Sequence, residues 1–471
     1  MTEFVVVLGS VALVLARWLP SARGRRRVAG GAVVVVAVAA ASIGIGMRWQ
    51  LLLVLAVDLL VGAAAGVVWM VRRRRGRTGW RVRRWLAVLG TVACVGLIAT
   101  GVAAAWALPV PVFPEPSGPF AVGTMTVQWT DAEREETATP DAGDRRTVVV
   151  QLWYPAQSAT QEMPRARYLG RTRREADTVA AAAADYLGVP ALLLDGLPRA
   201  RSHAAFDAAP AAGRFPVVLF SPGLGGVRTQ NTAWAEDLAS RGYLVAGVDH
   251  PYDSAAVVLA DGRSVRTRIA ASGDPKEDEK RRIGWTAVRA ADLSFVLTQL
   301  GRLDRGELTG PLSGHVDIGR AAATGHSVGG AAAMRAAQQD SRFAAVINLD
   351  GGLNADQASP HQPVLALTHT VIDQADADYV AGLSRVLERG SATSYQLSVP
   401  GSAHLTFTDG PLYLPPVPAV AGSLGRTESV RMTTLTCAAF LDATLRGRSD
   451  ELSATLSRHG ELRVYPAAAG R

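Results

Sequence analysis

The chain has 471 residues, 48% of them hydrophobic, and a formal net charge of +8. Its length exceeds one ordinary domain, and its apolar content points to a membrane portion rather than a wholly soluble chain. Residues 1–110 hold 14 of the 49 basic residues and two of the 41 acidic ones, leaving 35 basic against 39 acidic for the remainder. The surplus of positive charge therefore sits in the apolar part, which argues against a nucleic-acid face on the folded part. Two cysteines, Cys94 and Cys437, cannot build a thiolate metal cluster, and Cys94 lies in an apolar stretch where a structural disulfide is not expected. The eight histidines lack ligand spacing, so no metal is expected.

Four apolar stretches open the chain: Glu3–Leu19, Val28–Met47, Leu51–Val71 and Trp85–Leu108. Each approaches the roughly 20 residues that cross a bilayer as a helix. The first connection carries Arg23, Arg25, Arg26 and Arg27, the second only Arg48, and the third, Arg72 to Arg84, eight arginines. Arginine-rich connections favour the cytoplasmic side. The expected topology has the amino terminus outside, connections one and three inside, and everything after Leu108 outside. Met1-Thr2-Glu3-Phe4 lacks the positive start of a secretory signal, so the first stretch reads as a retained helix. Apart from Glu3 at the start of the first stretch, Asp58 is the one acid within the spans, with Arg48 as its candidate partner, and the unit reads as an anchor. Pro109, Pro111, Pro114 and Pro116 mark residues 109–117 as a linker to a folded domain over 118–471.

That domain alternates strands with helices. Arg146–Tyr154 reads as a strand, and residues 158–213 as an insertion or cap. Phe215–Phe220, Tyr243–Val248, Ile318–Thr324, Phe343–Leu349, Pro363–Thr368 and Tyr395–Val399 read as buried strands, the last of these as the final strand. Thr232–Arg241, residues 277–302, Val328–Gln339 and Ser429–Leu445 read as helices. Continuous apolar strands between helices predict a mostly parallel sheet covered on both faces, an α/β fold.

Gly325-His326-Ser327-Val328-Gly329 falls between a predicted strand and a predicted helix, the context of a nucleophile elbow. Glycines two residues either side of Ser327 remove side chains that would collide across the tight turn. A serine needs a base, and in this fold the order is serine, acid, histidine. His361, His369, His404 and His459 follow Ser327. His404 comes just after the last predicted strand, where a loop can carry it over the serine. His369 ends a strand too early in the order, His361 precedes a strand, and His459 follows the last helix. For the acid, the spacing leaves two places open: Asp350 at the end of the next strand, or Asp373, Asp376 and Asp378 after the following one. Two preorganised N–H groups must meet the oxyanion. Val328 supplies one, and Ser221-Pro222-Gly223-Leu224-Gly225-Gly226 the other, assigned to Leu224. That loop lacks both the dinucleotide fingerprint and a P-loop lysine, so no nucleotide cofactor is expected.

Taken together, these segments resemble the platelet-activating factor acetylhydrolase family of α/β hydrolases, in its plasma and type II intracellular form. The resemblance spans roughly Gly118–Leu445. It rests on Gln151–Pro155 (QLWYP), Phe220–Thr229 (FSPGLGGVRT) leading into Asp237–Gly242, Gly325–Gly330 (GHSVGG) and Gly401–Phe407 (GSAHLTF). It implies the α/β-hydrolase fold and places the acid at Asp350, with Leu224 and Val328 as oxyanion donors. Pro222 and Val328 depart from the family's usual residues at their positions, which touches the substrate pocket more than the triad.

The expectation is therefore a membrane-anchored serine esterase with Ser327, His404 and Asp350 as its triad and no metal or organic cofactor. The resemblance implies short or oxidised sn-2 acyl chains of phospholipids as substrate. A general carboxylesterase or lipase acting on other esters is the alternative, and a non-catalytic ligand-binding membrane protein is the rival from a different class. The site is expected on the extracytoplasmic face of the cell membrane, with a lipid or small-molecule ester as its partner and no nucleic acid.

Overall fold

The computed structural model describes residues 2–41, 48–75, 84–157, 163–353 and 357–467. It divides into two compact units, Met1–Pro109 and Val110–Arg471.

The first unit holds helices Thr2–Ala16 (α1), Ala22–Ala41 (α2), Gln50–Arg75 (α3) and Arg84–Ala107 (α4). Val6, Val14, Leu51, Val54, Val57 and Ile98 pack together between α1, α3 and α4. Leu59, Leu60, Trp69 and Val92 face outward and are exposed. Among the described residues two helices are long and apolar enough to cross a membrane, Gln50–Val71 and Arg84–Ala107. The expectation of four crossing helices is corrected accordingly. The apolar part of α1, Glu3–Ala16, is short. Helix α2 takes Arg23, Arg25, Arg26 and Arg27 into its first turns, and residues 42–47 of its expected span lie outside the described residues. Arg48, the candidate partner of Asp58, is engaged elsewhere. Ser10 Oγ donates to Asp58 at 2.7 Å, while Arg48 pairs with Glu3 at 3.4 Å and donates to the carbonyls of Ala105 and Leu108.

The second unit is built on one twisted sheet. Its strands are Ala121–Glu135 (β1), Arg145–Ala156 (β2), Arg165–Arg167 (β3), Arg201–Phe206 (β4), Phe215–Ser221 (β5), Leu244–Asp249 (β6), Val316–His326 (β9), Phe343–Leu349 (β10), Val364–Thr368 (β11), Ser394–Ser398 (β12) and Glu461–Tyr465 (β13). Ala256–Val258 (β7) and Ser264–Arg266 (β8) form a separate hairpin. The spatial order is β13-β12-β11-β10-β9-β5-β6-β2-β1-β4-β3. From β6 to β12 every neighbouring pair is parallel, with β2 antiparallel to β6 and β13 antiparallel to β12. The fold is thus a mixed α/β fold with a mostly parallel central sheet. Tyr395–Val399 is not the final strand: β13 follows it, and its exposed, polar-rich run gave no apolar signal.

Side chains alternate between two apolar layers, as the pleat requires. Val217, Leu219, Ala321 and Ala323 pack against Pro275–Asp304 (α7), Val328–Gln339 (α8) and Gln374–Glu388 (α9). Val218, Phe220, Ala322 and Ile347 pack against Thr232–Ser240 (α6) and the helix Arg426–Arg446. The described part of the insertion, from Met163 to Gly213, contains β3, β4, two short 3₁₀ turns and Arg173–Leu187 (α5). Thr172 caps α5 by accepting from the Glu175 N–H, and Gly188 ends it in the left-handed region. Phe113, from the Pro-rich stretch, is buried with its ring 4.9 Å from that of Tyr168.

Ile347 is fully buried in the middle of β10. Replacing it with alanine should cost about 2–5 kcal/mol, read as a lowered midpoint in denaturant titration of the full chain.

Candidate active site

Four segments meet at the carboxyl ends of the parallel strands, where α/β sheets place their sites. The β9–α8 junction carries Ser327 with φ 56° and ψ −125°. This is a strained conformation for a residue with a Cβ, and it lifts the serine clear of the sheet. The glycines are required by contact. A methyl group at Gly325 would stand 2.2 Å from the Gly329 carbonyl oxygen, and one at Gly329 would stand 2.0 Å from that of Ser221. Val328 and Gly329 open α8, so their N–H groups precede any intrahelical acceptor.

Asp350 follows β10 and also has φ 56°. Its side chain is buried and accepts from His404 Nδ1 at 2.7 Å. His404 opens a 3₁₀ turn in the loop after β12, and its side chain is half exposed. Ser327, His404 and Leu224 line one cavity of about 490 Å³. Val179 and Tyr186 of α5, with Leu194 and Leu197, form its apolar wall, so the insertion covers the site. Among the described lining residues none is Lys, Arg, Asp or Glu.

The remaining acid candidates have other partners. Asp373 caps α9 by accepting from the Asp376 N–H, Asp378 accepts from Gln374, and Asp376 pairs with His369 Nε2 at 3.0 Å. His369 is the residue that sequence reasoning set aside. Its Nδ1 lies 2.8 Å from the same Asp350 carboxylate, its backbone N–H donates there as well, and its ring stacks on Tyr379. Tyr379 Oη adds a further donor at 3.2 Å. The register could have located His369. Leu349 pairs with Leu367, so the residues just beyond β10 and β11 lie side by side.

Burial alone would raise the Asp350 carboxyl, but hydrogen bonds from His369 and His404 hold it below the ordinary carboxylate range. The Asp350 hydrogen bond, helped by Asp376 and against partial burial, lifts His369 to about 9. Burial, reinforced by the neighbouring His404, pushes His326 down to about 3. Neutral His326 bridges Gln230 Nε2 at Nδ1 and the His404 carbonyl at Nε2, both at 2.9 Å. It thereby ties the loop after β5 to the histidine loop. Asp350, His369 and His404 also present ligand atoms within 4.8 Å of one another, the arrangement a metal ion could use. Here both Nδ1 atoms are engaged with the carboxylate.

The sequence matches the family described as "Platelet-activating factor acetylhydrolase, isoform II" over residues 109–451. It is 28% identical over 349 residues to a "Probable 1-alkyl-2-acetylglycerophosphocholine esterase" of Arthroderma benhamiae, covering 69% of this chain and 83% of that one. It is 27% identical over 248 residues to the "Platelet-activating factor acetylhydrolase" of Gallus gallus, covering 45% and 56%. The solved structure of a ferulic acid esterase from Streptomyces cinnamoneus superimposes with a TM-score of 0.60 at 33% identity, over 76% of this chain and 99% of that one.

A histidine whose folded pKa is raised adds stability that is complete below its unfolded pKa, roughly 6.5. That contribution disappears as pH rises through the folded value. The denaturation midpoint should therefore fall between about pH 6.5 and 9 by an amount that the His369→Gln variant lacks. Parallel denaturant titrations across that range would check this.

Proposed function

The chain belongs to the platelet-activating factor acetylhydrolase, isoform II, family of ester-hydrolysing enzymes, and on that premise we propose that it is a serine esterase using Ser327, His404 and Asp350. The observation that carries the reading is the Asp350–His404 hydrogen bond beside a cavity that His404 and Ser327 both line. With Nδ1 committed to Asp350, Nε2 is the ring nitrogen left to take the Ser327 proton. Ser327 Oγ then bonds to the ester carbonyl carbon, and the carbonyl oxygen becomes an oxyanion that accepts from the N–H groups of Leu224 and Val328. His404 returns the proton to the leaving alcohol as the acyl–oxygen bond breaks. Water, deprotonated by His404, then releases the acid and restores Ser327. Asp350 orients the imidazole and stabilises its charged form without itself taking the proton.

The substrate we favour is a phospholipid bearing a short or oxidised sn-2 acyl chain. Kinship supports it, as does a largely apolar cavity whose described lining holds no Lys, Arg, Asp or Glu, suited to an uncharged acyl group. A second reading, an aromatic acyl ester, is favoured by one observation: Tyr168, Tyr186 and Tyr413 all line the cavity of a chain 33% identical to a ferulic acid esterase. We further propose that α3 and α4 anchor the enzyme. The eight arginines from Arg72 to Arg84 would lie on the cytoplasmic side and the catalytic unit on the other. Residues 109–117 would serve as the tether and residues 158–213 as the cap.

Ser327→Ala should lower turnover of a short-chain chromogenic acetate by several orders of magnitude and abolish fluorophosphonate labelling. Equal activity of both proteins would remove Ser327 from the mechanism. Comparing vesicles of short-acyl phospholipid with a soluble ferulate ester separates the two substrate readings by their kcat/KM.

A further inference from the structure

Behind the catalytic loop lies a buried polar cluster that the triad does not use. Ser221 Oγ meets His250 Nε2 at 2.9 Å, and His250 Nδ1 meets Asp292 at 2.8 Å. This is the atom pattern of a second serine–histidine–acid triad, yet all three side chains are shut off from solvent. Burial holds His250 below its ordinary pKa, hence neutral, so it accepts the Ser221 hydroxyl proton and donates to Asp292. Arg146, at 2.6 Å, compensates Asp292 and in turn pairs with Glu136. No substrate reaches this serine, and its role must lie in what it touches.

What it touches is Arg289 of α7, which is fully buried. The guanidinium donates to Ser221 Oγ at 3.3 Å, to the Pro222 carbonyl, and to the Gly223 carbonyl at 3.0 Å. Asp253 clamps its other side through two bonds of 2.5 and 2.6 Å. Those two carbonyls belong to the loop assigned to the oxyanion. In a trans peptide the C=O and the following N–H point in opposite directions. The Pro222 carbonyl is turned toward Arg289, and the Gly223 N–H duly points the other way, donating to Gln230 Oε1 at 2.8 Å. The same rule applies one peptide later. With the Gly223 carbonyl held by Arg289, the Leu224 N–H faces away from α7. That is the side of Ser327, since a Cβ at Gly223 would stand 3.6 Å from the Ser327 Cβ and Leu224 lines the catalytic cavity.

We propose that Arg289, clamped by Asp253 and braced by the Ser221–His250–Asp292 chain, is a positioning residue that fixes two successive peptide planes so that the Leu224 N–H is preset for the oxyanion. The inference rests on the serine-esterase reading above and adds to it the part that keeps the oxyanion hole formed in the absence of substrate. Preorganisation matters because a donor that must reorient during reaction loses much of its effect. Arginine is needed because one planar fork reaches two carbonyls, a hydroxyl and a carboxylate at once, which an ammonium cannot.

The test uses the full chain with Arg289→Lys, which keeps the charge opposite Asp253. A second variant, Asp253→Asn, keeps Arg289 and weakens the clamp by removing its charge and one of its two acceptor oxygens. Active sites are counted by fluorophosphonate labelling, and kcat and KM are measured per labelled site on a chromogenic acetate. We expect Arg289→Lys to lose roughly 10²-fold in kcat, the scale of one lost oxyanion donor, with KM within about threefold of wild type. Asp253→Asn should lose less, in the same direction. Unchanged kcat per labelled site in both variants, whether or not fewer sites fold, would overturn the proposal and leave Arg289 as a core ion pair. A wild type that neither labels nor turns over would instead strike down the esterase reading itself.

Discussion

The arrangement of the site depends on keeping one buried carboxylate charged. Asp350 sits at the tip of a central strand, out of solvent, where an unpaired charge would cost far more than the fold could offset. Four donors meet it: the His404 ring, the His369 ring and backbone, and the Tyr379 hydroxyl. They come from two different crossings of the sheet and from α9, so their convergence fixes how the ends of β10, β11 and β12 stand relative to one another. His404 is held by the same contact that would make it basic. Positioning the proposed base and solvating the buried carboxylate are one interaction here.

Backbone geometry is the second constraint. Ser327 and Asp350 share φ 56°, both immediately after a buried parallel strand. Each turn leaves the sheet abruptly and is stabilised by what surrounds it. Ser327 N–H donates to the Leu349 carbonyl and Asp350 N–H to that of Leu367, so each strained residue hangs from the end of the neighbouring strand. The glycines flanking Ser327 allow β5, β9 and α8 to approach closely enough for this to happen.

The elements legible in the sequence were those with a one-dimensional cause. Strands β5, β10 and β11 are mostly apolar runs, β9 has an apolar centre at Ala321–Ala323, and α8 follows its elbow without a gap. His404 could be singled out because chain order and strand ends are linear properties, whereas spacing left the acid open between Asp350 and the later Asp373, Asp376 and Asp378, and only the family resemblance pointed to Asp350, the carboxylate that His404 meets. What sequence left obscure depends on lateral neighbours. His369 looked misplaced because order along the chain says nothing of two adjacent strand tips sharing one carboxylate. Arg289 looked like one more charge on a long helix whose other arginines are surface residues. Strands β1, β4 and β13 carry mixed or polar residues because they lie toward the sheet edges. The four apolar stretches at the amino end were read by composition, but length and the arginines inside α2 set two of them apart.

The unlined charge of the cavity has a consequence for turnover. On the proposed reading, an uncharged acyl group would enter a pocket whose described lining holds no Lys or Arg, with the Asp350 anion close behind His404. On the proposed reading, hydrolysis would convert that group into a carboxylate, for which the described lining holds no Lys or Arg and which would share the region with an existing negative charge. The chemistry thus changes its own product from a fitting occupant into a repelled one, and the free acid should be a poor inhibitor of the enzyme that makes it.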